Sequence, residues 1–241
     1  MLPTEFCSSL SSISLSLRFT ACAKRYSRKY LRQATGLIFF LSLFLLPLKS
    51  QAAIAFVQAN SCSTTGTSLT CSYSTSIVAG DLLVADVAPT NTSGSAYTIS
   101  VSDSRNGAWT QSVQCFNAYD MQGNLFYFPN SAAGSVTVTV TSSTSTTLKI
   151  AIAAYSGIAT SSPVDVNGTC STGVSSVKTV TAPSVVTSNA NDLILNALSE
   201  GGTTGALTAS SPYTLRNASF GAAFADQSVS STGTHAGTTF N

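Results

Sequence analysis

The part of the chain after Ala53 has few side chains that could do acid-base chemistry: one His, one Glu and seven Asp. A Ser/His/Asp triad would need His235, which lies in the Gly-rich tail STGTHAGT, and the sequence has no GxSxG nucleophile elbow. A glycoside hydrolase would need two carboxylates facing each other, and the sequence does not indicate which acids pair. The candidates are Asp86, Asp103, Asp120, Asp165, Asp192, Glu200 and Asp226. We therefore predict no catalytic residues and a protein that is not an enzyme.

Calcium is the metal that such a set of oxygen donors would bind, because Ca²⁺ takes carboxylate and amide oxygens in extracellular loops. No D-x-D-x-D-G run occurs, and the first candidate ligands are Asp103, Asn106 and Asp226. The alternative for Asp103 is turn capping, since it begins DSRNG and Asn106-Gly107 is a hairpin signal. Apart from this calcium hypothesis, no cofactor is expected.

Sugar binding is the activity that the aromatic residues favour, since sugar rings stack on flat aromatic faces. Trp109 is the only Trp in the chain, and Tyr97 and Tyr119 belong to the same stretch. These three residues are the candidate ligand-binding set. The alternative is that Trp109 belongs to a hydrophobic core.

Four cysteines follow the first 53 residues, and an even number is typical of disulfides in an oxidising compartment. Three connectivities are open. Cys62 and Cys71 flank the turn-like STTGTS, so a bond between two neighbouring strands would join them and leave Cys115 with Cys170. A zinc site is the competing interpretation, although no CxxC pair occurs and the only His is His235.

The elements that must position these residues are short β-strands, because β-branched and aromatic segments recur every ten to fifteen residues and end at turn-forming residues. No window shows a sustained helical period. We predict an all-β fold, a two-sheet antiparallel β-sandwich that is jelly-roll-like. The predicted strands are 54–59, 68–73, 81–88, 97–102, 108–116, 124–128, 135–141, 148–155, 177–182, 192–199 and 220–227.

Alternation within these segments predicts which faces are buried. In SVTVTVT (135–141) the valines alternate with threonines, so one face should meet the core and the other water. In LKIAIAAY (148–155) one face carries Leu and Ile, and the small alanines opposite indicate a second covered face. Ser and Thr make up 61 of the residues after Ala53, which we attribute to outer strand faces solvated by hydroxyl groups.

The charges divide the chain into a leader, 1–53, and one domain, 54–241. The leader has a basic n-region followed by the apolar run 37–48, in the order of a secretory signal peptide, and the run is shorter than a membrane span. The domain carries 4 bases and 8 acids, a net charge of −4, which makes a nucleic-acid partner unexpected. We expect a secreted or cell-surface protein. The alternative is anchoring in the membrane by an uncleaved signal anchor.

Several motifs in their order resemble known domains. They are IAFVQ, GDLLVADV, SDSRNGAW, NLFYF, AGSVTVTVT, IAIAAYSGI, PVD, NDLIL and FADQ. The order resembles that of uncharacterised secreted bacterial β-sandwich domains, jelly-roll or lectin-like in outline, found in cell-surface proteins. That resemblance implies one further strand beyond Asn241, and hence the hypothesis that the domain is truncated at its C-terminus.

Together these observations predict a structural or adhesive surface module without catalysis. The alternative is a carbohydrate-binding, lectin-like module, and a glycoside hydrolase is the third hypothesis. The expected partners are extracellular polysaccharides or other surface proteins.

Overall fold

A computed structural model describes residues 53–117, 120–171, 179–200 and 207–241. The predicted leader with its apolar run 37–48 lies outside the described residues except for Ala53, and so does Tyr119. In the segments that the structure describes, no helix combines the length and apolar character needed to cross a membrane.

The regular elements of these residues are β-strands paired in antiparallel ladders, which confirms the all-β class. The largest sheet has eight strands: β1 (Ala55–Ser72), β2 (Leu82–Val87), β3 (Thr90–Asn91), β4 (Ile99–Asp103), β5 (Gly107–Ala108), β6 (Thr110–Asn117), β7 (Asp120–Phe128) and β8 (Thr137–Ser156). Strand β8 is central, with β1 along one edge and β4 and then β2 along the other.

The large sheet curls because β1 and β8 bend together. The ladder joins Gly66 to Thr146 and then Ser68 to Thr141, so residues 142–145 have no partner in β1 at the bend. Cys62 and Cys71 lie on opposite sides of it with Cα atoms 5.6 Å apart, whereas nine residues of straight strand would span about 30 Å. The Cys62–Cys71 disulfide therefore joins two arms of one bent strand, and not two neighbouring strands as the sequence suggested.

The first core cluster fills the inside of this curl. Val136, just before β8, and Val138 and Val140 from its first half share this core with Leu148 and the isoleucines from its second half. Thr137 and Thr139 between these valines are half-buried and Thr141 after them is exposed, so the predicted one-sided pattern of SVTVTVT is confirmed.

The opposite face of the large sheet carries a smaller sheet. This second sheet has the order β11 (Asp192–Ser199), β13 (Ala222–Val229) and β12 (Thr214–Ser219). The second core cluster joins Ala151, Ala153 and Tyr155 of β8 to Phe224 of β13, which confirms that the alanine face of LKIAIAAY is covered.

Two short ribbons cover the far side of the three-stranded sheet. One ribbon is formed by β9 (Val180–Thr181) with β15 (Thr239–Phe240), and the other by β10 (Val185–Thr187) with β14 (Gly233–His235). Their apolar residues pack against a third core cluster around Ile194 and Leu198. The described residues thus form a curled sheet, a three-stranded sheet and a layer of ribbons, which is more elaborate than the two sheets predicted.

Both predicted disulfides are present, Cys62–Cys71 and Cys115–Cys170. The second bond ties strand β6 to the segment that follows β8. Disulfides of this kind are compatible with folding in an oxidising, extracellular environment.

Candidate functional site

The DSRNG segment is a capped hairpin turn between β4 and β5. The Asp103 carboxylate accepts hydrogen bonds from the backbone N–H groups of Arg105 and Asn106, both at 2.7 Å, and from the Asn106 side chain. Its second oxygen accepts the indole N–H of Trp109 at 2.6 Å. Gly107 follows with a φ of 90°, in the region that favours glycine. The predicted turn-capping role of Asp103 is confirmed.

The structure places neither Trp109 nor Tyr97, the two aromatic candidates within the described residues, on an open surface. Trp109 is only 7% exposed and belongs to the first core cluster, against which Tyr97 packs as a half-buried side chain. The backbone N–H of Tyr97 donates a hydrogen bond to Oε1 of the fully buried Gln122, and Nε2 of Gln122 donates one to the carbonyl oxygen of Tyr97. Because the faces of the Trp109 ring are covered by the core, they are not open for a sugar to stack on.

The candidate calcium ligands belong to two different networks. Asp103 and Asn106 share the hairpin turn, whereas Asp226 lies in β13 and accepts hydrogen bonds from the Tyr155 hydroxyl and from Nε of Arg216, both at 2.7 Å. The Arg216 guanidinium also lies 4.6 Å from the centre of the Phe56 ring. Among the described residues, no three His, Cys, Asp or Glu side chains form a group that could hold a metal ion.

A regular array of hydroxyl groups covers the outer surface of β4, β8 and β1. Its members stand in register across the three strands, in rows that we call the hydroxyl face: Ser100, Thr141 and Ser68; Ser102, Thr139 and Thr70; Thr137 and Ser72. Five are exposed, and Ser102, Thr137 and Thr139 are half-buried. The Val/Thr alternation of SVTVTVT was the sequence signal for this face.

Hydrogen bonds between neighbouring hydroxyls order this face. Ser100 and Thr141 lie 2.6 Å apart at their side-chain oxygens, and Ser72 and Thr137 lie 2.8 Å apart. Each hydroxyl has one donor and two acceptor positions, so each of these pairs keeps further positions for a ligand. The arrangement therefore presents uncharged donors and acceptors at fixed spacings.

A cleft of about 840 Å³ lies beside β11. Leu125 and Tyr127 of β7 contribute to its floor, and residues 163–166, residues 168–171 and the two ribbons contribute to its other walls. Consecutive residues of β11 line it, so side chains from both faces of this strand border the same space. Since the faces of a strand alternate, the cleft must run along the edge of β11.

At one end of the cleft, β11 and β7 touch. The hydroxyl of Ser199 donates to the Asp86 carboxyl at 3.0 and 3.2 Å, and a Cβ placed on Gly123 would lie 2.7 Å from that hydroxyl oxygen. Asp86 is 1% exposed, and burial raises its pKa to about 8. A lone Gly inside the strand-like segment DMQGNLFYF was the signal for this close approach.

Three other acids line the cleft. The Asp165 and Asp192 side chains interact directly: hydrogen bonds from Ser188 lower the pKa of Asp165, while burial and the charge of Asp165 raise the pKa of Asp192. Burial also raises the pKa of Glu200, an effect that the nearby charge of Lys149 opposes. Among the described residues that line the cleft there is no Lys, Arg or His.

His235 lies in β14 outside the cleft lining. Its Nε2 is 3.2 Å from the Thr187 hydroxyl and 3.2 Å from the carbonyl oxygen of Ser231, and its charge lowers the pKa of Asp192. The ring therefore lies between strand β10 and the loop that precedes β14.

The resemblance to secreted bacterial β-sandwich domains is supported only at the level of a β-rich fold. The chain matches no family model, no curated protein and no solved structure.

Proposed function

We propose that this protein is an extracellular adhesive module without catalysis, which holds hydroxyl-rich polysaccharide surfaces through its hydroxyl face. The observation that carries the proposal is the in-register array of eight Ser and Thr side chains on three paired strands. Neighbouring strands are about 4.8 Å apart and successive rows about 6.7 Å apart, so the hydroxyls repeat in two directions. A polysaccharide surface also presents hydroxyl groups as a repeating array.

The rigidity of the face supports this proposal. Cys71 points into the core between Thr70 and Ser72, and its disulfide to Cys62 fixes the bend beside the array. The valines of β8 are fully buried on the reverse side, and they anchor the same strand from within. Because binding then orders little of the protein, the entropic cost of many weak hydrogen bonds is reduced.

The chemistry of the face supports a neutral partner. Hydroxyl groups lose less on desolvation than charged groups do, and a single hydrogen bond contributes only about 0.5–1.5 kcal/mol net. Adhesion through this face therefore requires several rows to engage at once. We expect avidity for extended insoluble polysaccharides and weak binding of single sugars.

The experiment is a pull-down with a panel of insoluble polysaccharides, using the exported protein and the variant Thr141→Lys. Thr141 is exposed and pairs with Ser100 and Ser68 in the first row. A bulky cation there prevents close approach of a flat surface, so we expect retention to fall at least fivefold.

The matched control is Thr181→Lys. Thr181 is also exposed and shares a cross-strand hydroxyl contact of 2.9 Å, with Thr239, but it lies on a ribbon away from the hydroxyl face. Equal retention of both variants would contradict the proposed face. No retention of the unmodified protein on any polysaccharide would favour a purely structural role.

Hydrolysis of glycosides is a second candidate, favoured by one observation. Asp86 lines the cleft with a pKa near 8, so it is a proton donor at neutral pH, and Glu200 lines the same cleft. It ranks below adhesion because Asp86 is almost fully covered and bonded to Ser199. Release of reducing sugar that is lost in Asp86→Asn would support it, and no release from any polysaccharide would remove it.

A further inference from the structure

The cleft beside β11 occupies the position of a missing neighbour strand. In the three-stranded sheet β11 pairs only with β13, and no strand among the described residues pairs with its other edge. Half of the N–H and C=O groups of an edge strand point away from its partner and can pair with an added strand. Strands β1, β6 and β12 also have an unpaired edge in the described ladders, but β11 is the one whose full length lines the cleft.

The walls of the cleft suit an extended peptide. The eight residues of β11 span about 26 Å at 3.3 Å per residue. Leu193 and Leu195 line it from one face of β11 and Ile194 and Leu198 from the other, and the floor is formed by the half-buried side chains of Leu125 and Tyr127. The side chains of an added strand would point alternately toward the large sheet and toward the ribbons. Both of these walls are apolar, so either set of side chains would have an apolar surface to contact.

The acidic residues that line the cleft indicate where a basic residue of that peptide would lie. Asp165 and Asp192 lie together at the start of β11, and Oδ2 of Asp192 is a buried oxygen that accepts no hydrogen bond from the described residues. At the opposite end, Asp86 is held by Ser199 and the charge of Lys149 offsets that of Glu200. The charge of His235 acts on Asp192 from outside the lining, and among the described residues no base lines the cleft itself. A basic side chain of the peptide at the Asp192 end would therefore lie beside the half-buried Asp165 carboxylate.

From this geometry we propose that β11 is completed by an extended peptide from a partner protein, with apolar alternate side chains and a Lys or Arg against Asp165 and Asp192. This is strand addition to a sheet edge, in which main-chain hydrogen bonds give affinity and the pockets give specificity. The inference goes beyond the proposed adhesive function, because it uses a different surface of the molecule.

The experiment uses the full chain, exported so that both disulfides form, and fluorescently labelled peptides of sequence KVTVTVTV and VTVTVTVK. The two peptides place the ammonium at either end, because the direction of the added strand is one of the results. We expect at least one to bind, and hydrogen exchange of the β11 amides to slow by at least tenfold in the complex.

Two controls separate strand addition from other binding. A peptide that is N-methylated at alternate amides lacks the donors for a ladder and should bind at least tenfold more weakly. The variant Asp192→Asn should weaken the Lys peptide about threefold to fivefold, as expected for an ion pair near a surface, and leave a norleucine-ended peptide unchanged.

Three results would overturn the proposal. They are equal binding of the methylated peptide, amide protection confined to strands other than β11, and binding of neither peptide, whether or not oligosaccharides protect β11. The methylated peptide tests the unmodified protein, so that control does not depend on whether a variant folds. Failure of polysaccharide retention would leave these outcomes unaffected.

Discussion

Replacing Asp86 by Asn should change how the stability of this protein depends on pH. The carboxyl is 1% exposed, and burial raises its pKa from 3.8 to about 8. Between these two values the unfolded chain has lost a proton that the folded chain keeps. The free energy of unfolding therefore falls as pH rises, and the stability from this group is fully present below pH 3.8 and lost as pH passes through 8.

The magnitude follows from the two pKa values. One pH unit within this interval corresponds to about 1.4 kcal/mol, so the group removes about 2.5 kcal/mol between pH 5 and pH 7. Glu200 and Asp192 also have raised pKa values and act in the same direction. The informative quantity is therefore the difference in slope between the unmodified protein and Asp86→Asn, whose neutral amide does not titrate.

The assay is urea unfolding at pH 5 and pH 7 with both disulfides intact. Asp86→Asn should gain about 2.5 kcal/mol relative to the unmodified protein on going from pH 5 to pH 7. The control variant is Thr181→Ala, which removes an exposed hydroxyl and no titratable group, so its pH dependence should match that of the unmodified protein. Parallel pH dependence of Asp86→Asn and the unmodified protein would refute the interpretation of Asp86 as a buried, protonated acid.

Three further predictions concern packing and cross-links. Gly123→Ala should lower the free energy of unfolding in urea by about 1–3 kcal/mol, because its Cβ would meet the Ser199 hydroxyl at 2.7 Å. The control Gly168→Ala should be close to neutral, since the nearest atom to its Cβ would be at 3.8 Å. Equal effects of the two substitutions would contradict the close approach of Gly123 and Ser199. The entropy of closing loops of 9 and 55 residues predicts that removing the Cys62–Cys71 disulfide lowers the free energy of unfolding by about 2.5 kcal/mol, and that removing Cys115–Cys170 lowers it by about 4 kcal/mol. The reverse order in thermal unfolding would show that the bend in β1 needs its disulfide more than loop closure predicts. Trp109→Phe should lower the free energy of unfolding by about 1–3 kcal/mol, because the Asp103 carboxylate loses a buried hydrogen-bond donor. Retention on polysaccharides should stay unchanged in this variant. Lost retention with unchanged stability would instead make Trp109 a ligand-binding candidate again.

The sequence predicted those features that depend on local alternation. Segments such as LKIAIAAY and DLILNALS repeat every two residues, and their faces meet the expected core clusters. Strand β12 was missed because the bulge between Leu215 and Asn217 breaks its period of two. The bend in β8 was interpreted as a gap between two strands, since the Ser/Thr run at 142–145 has the composition of a turn.

The candidate sites also differ in how much of each one local alternation in the sequence could predict. The hydroxyl face follows from alternation within single strands, although its register across β4, β8 and β1 becomes visible only with the pairing. The cleft depends on how β11 lies against β7, which are separated by more than sixty residues. Asp86 and Ser199 each look ordinary in the sequence, and burial and mutual contact give them their properties.

The most direct test of the adhesive function is a binding isotherm on the insoluble polysaccharide that best retains the unmodified protein. The triple variant Thr70→Ala/Ser102→Ala/Thr139→Ala removes the middle row of the hydroxyl face without adding bulk or charge. Each lost hydroxyl should contribute about 0.5–1 kcal/mol, which predicts an affinity at least tenfold lower with unfolding little changed. An unchanged isotherm for this variant would contradict the claim that the protein adheres through its hydroxyl face.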